Sequence, residues 1–531
     1  MLAAKAALPA APSLAASSVE KPNIIVIIAD QRRYGLSRAT GYPLDTSPTL
    51  DRMQKSGVGF ERNYCTAPVC VPSRTSMLTG RWPEATHVRM NLQLDGATYE
   101  SHLYQVAHRQ GYRTALVGKN HTFLKSTDVD FWREYSHNGG YIAPGAPKEL
   151  TEFDAWLKNL NFNVAEEPAP FPLHAQLPYR IVSDAIEFID QNTKDTGGQP
   201  FLMQVSIPEP HDPEQVPAPY WDMFPPNSVP DRCAGPGALA SLGPRARWEY
   251  KTQQQFSPAT DNNWRRYKSN YLGALRMVDD QIGRLVEHLD RTGQSAKTVV
   301  VFTSDHGDYI MDYGLARKGV GLPEDLVHIP FIWWGYGVRP SQSLNDVFTS
   351  MADLMPTLCE VMGADIPHGV QGRTLWPLLQ GQDFPADEFR SMYAGNGVGG
   401  LYYDENDHIP ASIVRSPELP RMFDELNMVT QSGNQKMVRM ADWKLIYDAM
   451  GYGQLYNLRE DPCELRNLFN RSETATIQSQ LMAELAMWLI RTQDALPTGP
   501  QNQKYQTKWP AAHNWLAPYR QGKTPPTPYI P

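Results

Sequence analysis

The chain has 531 residues, with 49 Lys and Arg against 57 Asp and Glu, for a formal charge of −8. Its 13 Trp, 25 Tyr and 17 Phe are abundant core-forming material, which excludes an intrinsically disordered chain. The acidic balance, with no Lys/Arg block, argues against nucleic acid as a partner, and no run approaches the ~20 apolar residues of a membrane helix.

Residues 1–20, MLAAKAALPAAPSLAASSVE, are Ala-rich and end in small residues. They read as an export-signal remnant, with a disordered extension as the alternative, and predict a periplasmic or extracellular protein. Next, Asn23–Ile28 (NIIVII) is a continuous apolar run that ends in Ala29 and Asp30, and Thr298–Thr303 (TVVVFT) is another that ends in Ser304 and Asp305. Continuous rather than alternating runs predict strands buried on both faces, as in a parallel sheet covered by helices. Tyr112–Val117 and Phe201–Ile207 read as further strands, and Thr49–Ser56, His102–Gln110, Arg180–Asn192 and Tyr267–Arg291 as helices between them. This alternation predicts an α/β fold with a large, mostly parallel sheet over residues 21–375.

From residue 376 to 531 the texture changes. Met437–Arg439, Trp443–Tyr447 and Gln454–Asn457 are short strand candidates, followed by a helix near Glu473–Leu496 and a Pro- and aromatic-rich tail. They predict a smaller antiparallel α+β subdomain. The segments Phe131–Phe171, Pro208–Phe256 and Gly395–Gln431 read as long irregular loops able to shape a pocket. The five cysteines (Cys65, Cys70, Cys233, Cys359, Cys463) show no zinc spacing, so neither a structural zinc nor a disulfide scaffold is predicted.

In open α/β sheets, ligands bind beyond the carboxyl ends of the strands. Both apolar runs place acids there, Asp30-Gln31 and Asp305-His306, a donor set of oxygens plus one imidazole suited to a divalent cation. Either Asp alone is better explained as a cap or turn former; it is the matched pair that carries the inference. In Cys70-Val71-Pro72-Ser73-Arg74, continued by Leu78-Thr79-Gly80-Arg81, Pro72 and Gly80 bracket a short helix with Cys70 just before its start. Backbone N–H groups at that end attract an anion.

Cys70-x-Pro72-Ser73-Arg74 with its Leu-Thr-Gly-Arg continuation resembles the signature of the formylglycine-dependent sulfatases, members of the alkaline-phosphatase-like superfamily. The resemblance extends over about residues 21–490. It includes Ser47–Asp51, Phe60–Pro68, Asp305-His306-Gly307 and Leu455–Leu468 (LYNLREDPCELRNL). It implies that Cys70 is oxidised to formylglycine by a separate maturation enzyme. It also implies that Asp30, Gln31, Asp305 and His306 hold one divalent cation, usually calcium. The Asp-Gln and Asp-His-Gly versions are similar to a branch with choline sulfatases, phosphonate monoester hydrolases and glycan sulfatases. Arg74, Lys119 and His121 (Gly-Lys-x-His), His211 (Pro-His) and Lys318 match further catalytic positions. Because residues two apart in extended backbone project to one side, Lys119 and His121 are expected to face one ligand. His87, Asn91 and His174 are weaker substrate candidates, and Trp333-Trp334 and Tyr402-Tyr403 are possible sugar-stacking pairs, although core packing is the commoner role for Trp.

The mechanism implied by the resemblance starts from a metal-bound formylglycine hydrate that attacks sulfur. Lys119 and Lys318 neutralise the sulfuryl oxygens, Arg74 holds the formylglycine, His211 protonates the leaving alcohol and His121 removes a proton from the second hydroxyl. The expected reaction is sulfuric ester hydrolysis on a sulfated glycan. A phosphonate monoester or phosphodiester hydrolase and a choline sulfatase, the latter acting on a small sulfate ester, are the enzymatic alternatives. A sulfoglycan-binding protein is the alternative if Cys70 stays unconverted.

Overall fold

In the computed structural model of the protein, the described residues are 21–91, 96–161, 163–256, 262–319, 321–341, 344–407 and 433–493. The export-like start, the tail from residue 497 and positions 408–431 of the expected loop Gly395–Gln431 lie outside them. No helix among the described residues is long and apolar enough to cross a membrane.

The large sheet contains β1 (Asn23–Ala29), β2 (Val58–Gly59), β4 (Arg113–Lys119), β5 (Phe131–Ser136), β6 (Gly139–Gly140), β7 (Phe201–Ile207), β8 (Thr298–Thr303) and β9 (Phe331–Gly335). Their order is β2-β9-β8-β1-β7-β4-β5-β6. The central strands β8, β1, β7, β4 and β5 are parallel, and β9, β2 and β6 are antiparallel to their neighbours. A short parallel pair, β3 (Arg62–Tyr64) with β10 (Phe348–Ser350), lies apart from this sheet.

The continuous apolar run in β1 has a simple cause. Ile24, Val26 and Ile28 enter one apolar cluster, while Ile25, Ile27 and Ala29 enter another on the opposite face. The second cluster is closed by α1 (Pro48–Lys55), α4 (Leu177–Thr196) and α5 (Trp264–Arg291), through residues such as Leu50, Ile181, Phe188 and Leu285. The first is closed by α2 (Cys70–Thr79), α3 (Leu103–Arg109) and α6 (Leu354–Met362), and continues into the second, four-stranded sheet.

That sheet is antiparallel, ordered β11 (Ser391–Asn396), β12 (Gln435–Met440), β13 (Trp443–Asp448), β14 (Gly453–Asn457), with α7 (Ala475–Gln493) against it. The turn after β14 is built by its own side chains. Asp461 accepts from the N–H groups of Leu465 and Arg466 at 3.0 and 2.7 Å, and Asn467 accepts from those of Leu455 and Phe469 at 3.0 and 2.9 Å. Glu464, whose φ is 51°, reaches Lys444 at 2.8 Å and accepts from the Glu324 N–H at 2.8 Å. This buried contact ties the small sheet to the segment that follows strand β8.

Two expectations are corrected and one alternative is decided. Cys233 and Cys463 are disulfide-bonded, with Cα atoms 5.9 Å apart across a separation of 230 residues. No local spacing announces a pair joined only by tertiary folding. For Trp333 and Trp334 the structure favours the commoner of the two roles, because Trp333 is fully buried in β9 and Trp334 donates to Ser56 Oγ at 3.1 Å. The segments expected as irregular contain order: β5, β6 and a helix at Lys148–Leu160 in the first, helices at Ala218–Trp221 and Pro244–Phe256 in the second.

Asp279 of α5 accepts from the N–H groups of Thr49 and Leu50 at 2.8 and 2.9 Å, capping α1 from another helix. Burial pushes its carboxyl up to about 6, against the two N–H donors and Arg32, which act to lower it. A carboxyl raised in the folded state stabilises most below its unfolded pKa, and this contribution is lost as pH rises through 6. Asp279→Asn does not titrate, so the stability advantage of the native chain over this variant should grow by about 2 kcal/mol between pH 7 and pH 4.5. Paired urea melts at the two pH values measure it, and an unchanged difference would contradict this reading.

Candidate active site

Four neighbouring parallel strands deliver the predicted residues to one edge of the large sheet. Asp30 and Gln31 follow β1, Asp305 and His306 follow β8, His211 follows β7, and Lys119 ends β4 with His121 two residues on. Two glycines permit the close packing this requires. A Cβ on Gly118 (φ 111°) would lie 1.9 Å from the Ser206 carbonyl oxygen, and one on Gly307 equally close to that of Asp325.

Cys70 is the first residue of α2 rather than the residue before it, with Val69 extended as the N-cap. Gly80 ends the helix in the left-handed conformation, φ 64°. The Val71 N–H donates to Asn91 Oδ1 at 3.1 Å, so Asn91 supports the helix start. One turn into α2, the fully buried Arg74 donates through Nε to Asp305 at 2.7 Å and through Nη2 to Asp30 at 3.2 Å. Its Nη1 donates to the Lys119 carbonyl at 3.2 Å and to Ser206 Oγ at 2.8 Å. Arg74 therefore fixes the two carboxylates directly.

Around Cys70 Sγ lie His306 Nε2 at 3.1 Å and Lys119 Nζ at 3.8 Å, and the His121 imidazole lies beside it. Lys119 also donates to Asp30 Oδ2. His121 arrives by a left-handed turn, φ 46°, rather than by extended alternation. Both side chains still converge on residue 70. Lys318 Nζ is 3.0 Å from His211 Nε2 and 3.3 Å from Gln31 Oε1.

Burial opposes ionisation of Asp30, but Lys119, Arg74, His211 and His306 hold its carboxyl well below the usual carboxylate range. Burial alone would raise the Cys70 thiol; Lys119, Lys318 and His306 bring it well down instead. The neighbourhood is thus built for negative charge at position 70. Burial and Lys119 hold His121 neutral.

Ligand atoms of Asp30, Cys70, Asp305 and His306 all lie within 4.8 Å of one another. Asp30 Oδ1 is buried, has no hydrogen-bond partner, and faces His306 Nε2 at 3.8 Å. A buried carboxylate oxygen left without a donor, beside a second carboxylate and an imidazole, fits a divalent cation. Gln31 joins them from the side: its backbone N–H donates to Asp305 Oδ1 at 3.0 Å.

Two candidates fall elsewhere. His174 is exposed and paired with Glu149 at 2.9 Å, and His87 is an exposed left-handed residue that ends the short helix Pro83–Thr86. Of the aromatic pairs, Tyr403 stacks on Trp248 at 5.1 Å and Tyr402 lies 5.7 Å from the Arg245 guanidinium.

Two residues within the site escaped sequence reasoning. Asp308 accepts from Gln31 Nε2 at 2.6 Å and from the Tyr267 hydroxyl at 3.0 Å, which turns the Gln31 amide oxygen toward Lys318. His137, at the β5–β6 turn, lies 2.8 Å from Lys119 Nζ and stacks on His211. The Asp305-His306-Gly307-Asp308 run and the Asn138-Gly139 turn were the available signals.

The family model described as sulfatase matches residues 22–364. An arylsulfatase from Clostridium perfringens is 26% identical over 490 residues, covering 85% of this chain and 91% of that protein. An N-acetylglucosamine-6-O-sulfatase from Bacteroides thetaiotaomicron is 24% identical, covering 87% and 85% respectively. Among solved structures, a phosphonate monoester hydrolase from Silicibacter pomeroyi superposes with a TM-score of 0.70 at 22% identity, covering 90% of this chain and 97% of that one.

The cation fit is testable without an assay. After chelation, adding calcium at about a hundred times its Kd should raise stability by about 2.7 kcal/mol. In Asp305→Ala the thermal shift should disappear, and an equal shift in both proteins would exclude the cluster as the binding site.

Proposed function

The chain belongs to the sulfatase family and is a sulfuric ester hydrolase, and from that premise we propose that it releases inorganic sulfate from a sulfated carbohydrate with residue 70, oxidised from cysteine to formylglycine, as its nucleophile. The observation that carries this reading is the setting of residue 70. It stands at a helix N-terminus, between His306 and Lys119, with Lys318 placed to add a second positive charge.

A divalent cation, calcium in this proposal, held by Asp30, Gln31, Asp305 and His306 would acidify the hydroxyl offered by residue 70 and draw off charge from the ester. The chain's own side chains do the rest. Lys119 and Lys318 bind the sulfuryl oxygens as charge develops on them. The Nδ1–H of His211 is committed to the Asp212 carbonyl at 3.0 Å, so Nε2 is the atom that hands a proton to the leaving alcohol. His121, neutral and beside residue 70, takes a proton from that residue so that the aldehyde can be restored. Arg74 keeps Asp30 and Asp305 aimed at the same point throughout.

The carbohydrate substrate is supported by the relative named for N-acetylglucosamine 6-O-sulfate hydrolysis. Action outside the cytoplasm is supported by the Cys233–Cys463 disulfide, a bond that persists in oxidising compartments.

Peptide mass spectrometry of active protein should find an aldehyde in place of the thiol at position 70. Cys70→Ser should lower kcat by roughly 10³-fold or more, the scale of removing a nucleophile. Unmodified Cys70 in fully active enzyme would overturn the nucleophile assignment. For the substrate, sulfate release is measured across defined sulfated saccharides and choline sulfate, with a phenyl phosphonate ester as the competitor. A sulfated saccharide should be preferred. Turnover of choline sulfate alone would overturn the carbohydrate reading, and a dominant phosphonate rate would overturn the sulfatase chemistry proposed for the site.

A further inference from the structure

The hairpin beside β4 in the sheet opens the segment Phe131–Phe171, which the sequence marks only as able to shape a pocket, with no role for a particular residue. Strands β5 and β6 are joined by only His137 and Asn138, with Tyr135 opposite Gly140 and Ser136 opposite Gly139. Because β5 runs parallel to β4, with Lys119 opposite Tyr135, this turn projects past the same sheet edge as Lys119. It is the fifth adjacent strand, in the order β8-β1-β7-β4-β5, to bring a side chain to the site.

The hairpin is braced. The Gly140 N–H donates to Asp154 at 3.1 Å, Asp154 pairs with Arg180 of α4 at 2.6 Å, and the Tyr135 hydroxyl donates to Asp184 of α4 at 2.8 Å. A Cβ on Gly139 (φ 118°) would meet the Asp154 carboxyl at 2.3 Å, and one on Gly140 the Tyr135 ring at 2.4 Å, so the two glycines allow the turn to seat against these partners. Two contacts of the imidazole this turn presents are with Lys119 and His211, groups placed in the machinery, and its ring also meets that of His121 edge-on with centroids 6.5 Å apart. His137 Nε2 lies 2.8 Å from Lys119 Nζ, and the ring stacks on His211 with centroids 3.8 Å apart and planes inclined by 26°.

We infer that His137 is a positioning residue that clamps Lys119 and His211 together, one through its ring nitrogen and the other through its ring face. This rests on the sulfatase reading of Lys119 and His211. Lys119 carries three N–H groups; Asp30 takes one, His137 takes another, and the ammonium is thereby held beside residue 70 instead of swinging with its flexible stem. On the other side, the stack and the Nδ1–H bond to the Asp212 carbonyl together fix the plane of His211 and aim Nε2 at the Lys318 side of the pocket. To accept from an ammonium, His137 must be neutral. Burial and the surrounding positive groups, His211, Lys119, His121 and Lys318, keep it so.

The two contacts can be separated by substitution. His137→Gln keeps an acceptor for Lys119 and removes the ring; His137→Phe keeps a ring for His211 and removes the acceptor. With 4-nitrophenyl sulfate, whose leaving group needs no proton, and phenyl sulfate, whose leaving group does, His137→Gln should lower the phenyl-to-nitrophenyl ratio of kcat/KM about tenfold, a fraction of the 10²–10⁴ of general acid catalysis. His137→Phe should preserve that ratio and weaken inhibition by inorganic sulfate about tenfold, the scale of one charge-assisted hydrogen bond. Wild-type ratios and sulfate inhibition in both variants would overturn the inference. A wild-type enzyme that released sulfate from neither ester nor from any sulfated saccharide would instead sink the sulfatase reading. Crystal structures of the native chain and His137→Ala then decide separately, since Lys119 and His211 staying in place without the imidazole would overturn the clamp.

Discussion

The site depends on one buried guanidinium. Asp30 and Asp305 leave neighbouring strands at the same edge and place two carboxylates in a water-poor pocket, where each raises the other's cost of ionisation. Arg74 lies across both, and its Nη1 donates to the Lys119 carbonyl and Ser206 Oγ. Buried ions are tolerated when they are paired and fully hydrogen-bonded, and breaking such a set by removing one partner costs about 3–5 kcal/mol. Through this side chain α2 is registered against β1, β4, β7 and β8 at once. The residue that begins α2 is therefore delivered to the carboxylates by the same contact that makes them tolerable.

Much of this was legible in the sequence, for identifiable reasons. A parallel strand covered on both faces must be apolar at every position, so β1 and β8 stood out, and the charged residue that ends such a run has to lie at the sheet edge. The helix around Cys70 carried its own punctuation in Pro72 and Gly80. In the small sheet, the Asp461, Glu464 and Asn467 pattern reads as a turn because each side chain satisfies a local backbone group or a buried lysine.

What was not legible depended on contacts between distant segments. His137 and Asp308 act through Lys119 and Gln31, and no periodicity marks a residue whose partner lies on another strand. The approach of Cys233 to Cys463 follows from how two remote turns meet. His174 looked like a site histidine because of its position before α4, yet the nearby Glu149 captures it at the surface. The expectation that Lys119 and His121 share a side by extended alternation reached the right neighbourhood by the wrong backbone, because the chain turns left-handed at His121.

The Cys233–Cys463 bond divides the chain into a covalent ring and two tails. Within the ring lie β8, β9 and all four strands of the small sheet, together with Asp305, His306 and Lys318; on the N-terminal tail lie β1, β4, β5 and β7, with Asp30, Cys70, Lys119 and His211. The cross-link restricts the unfolded ring but does nothing to fasten the tail to it. The junction between the two halves of the active site is therefore non-covalent, carried by the β1–β8 ladder, by the grip of Arg74 on Asp305 and by contacts such as Gln31 with Asp308 and His211 with Lys318. The register of the two halves of the site thus rests on hydrogen bonds and packing across that seam, none of which the disulfide supplies.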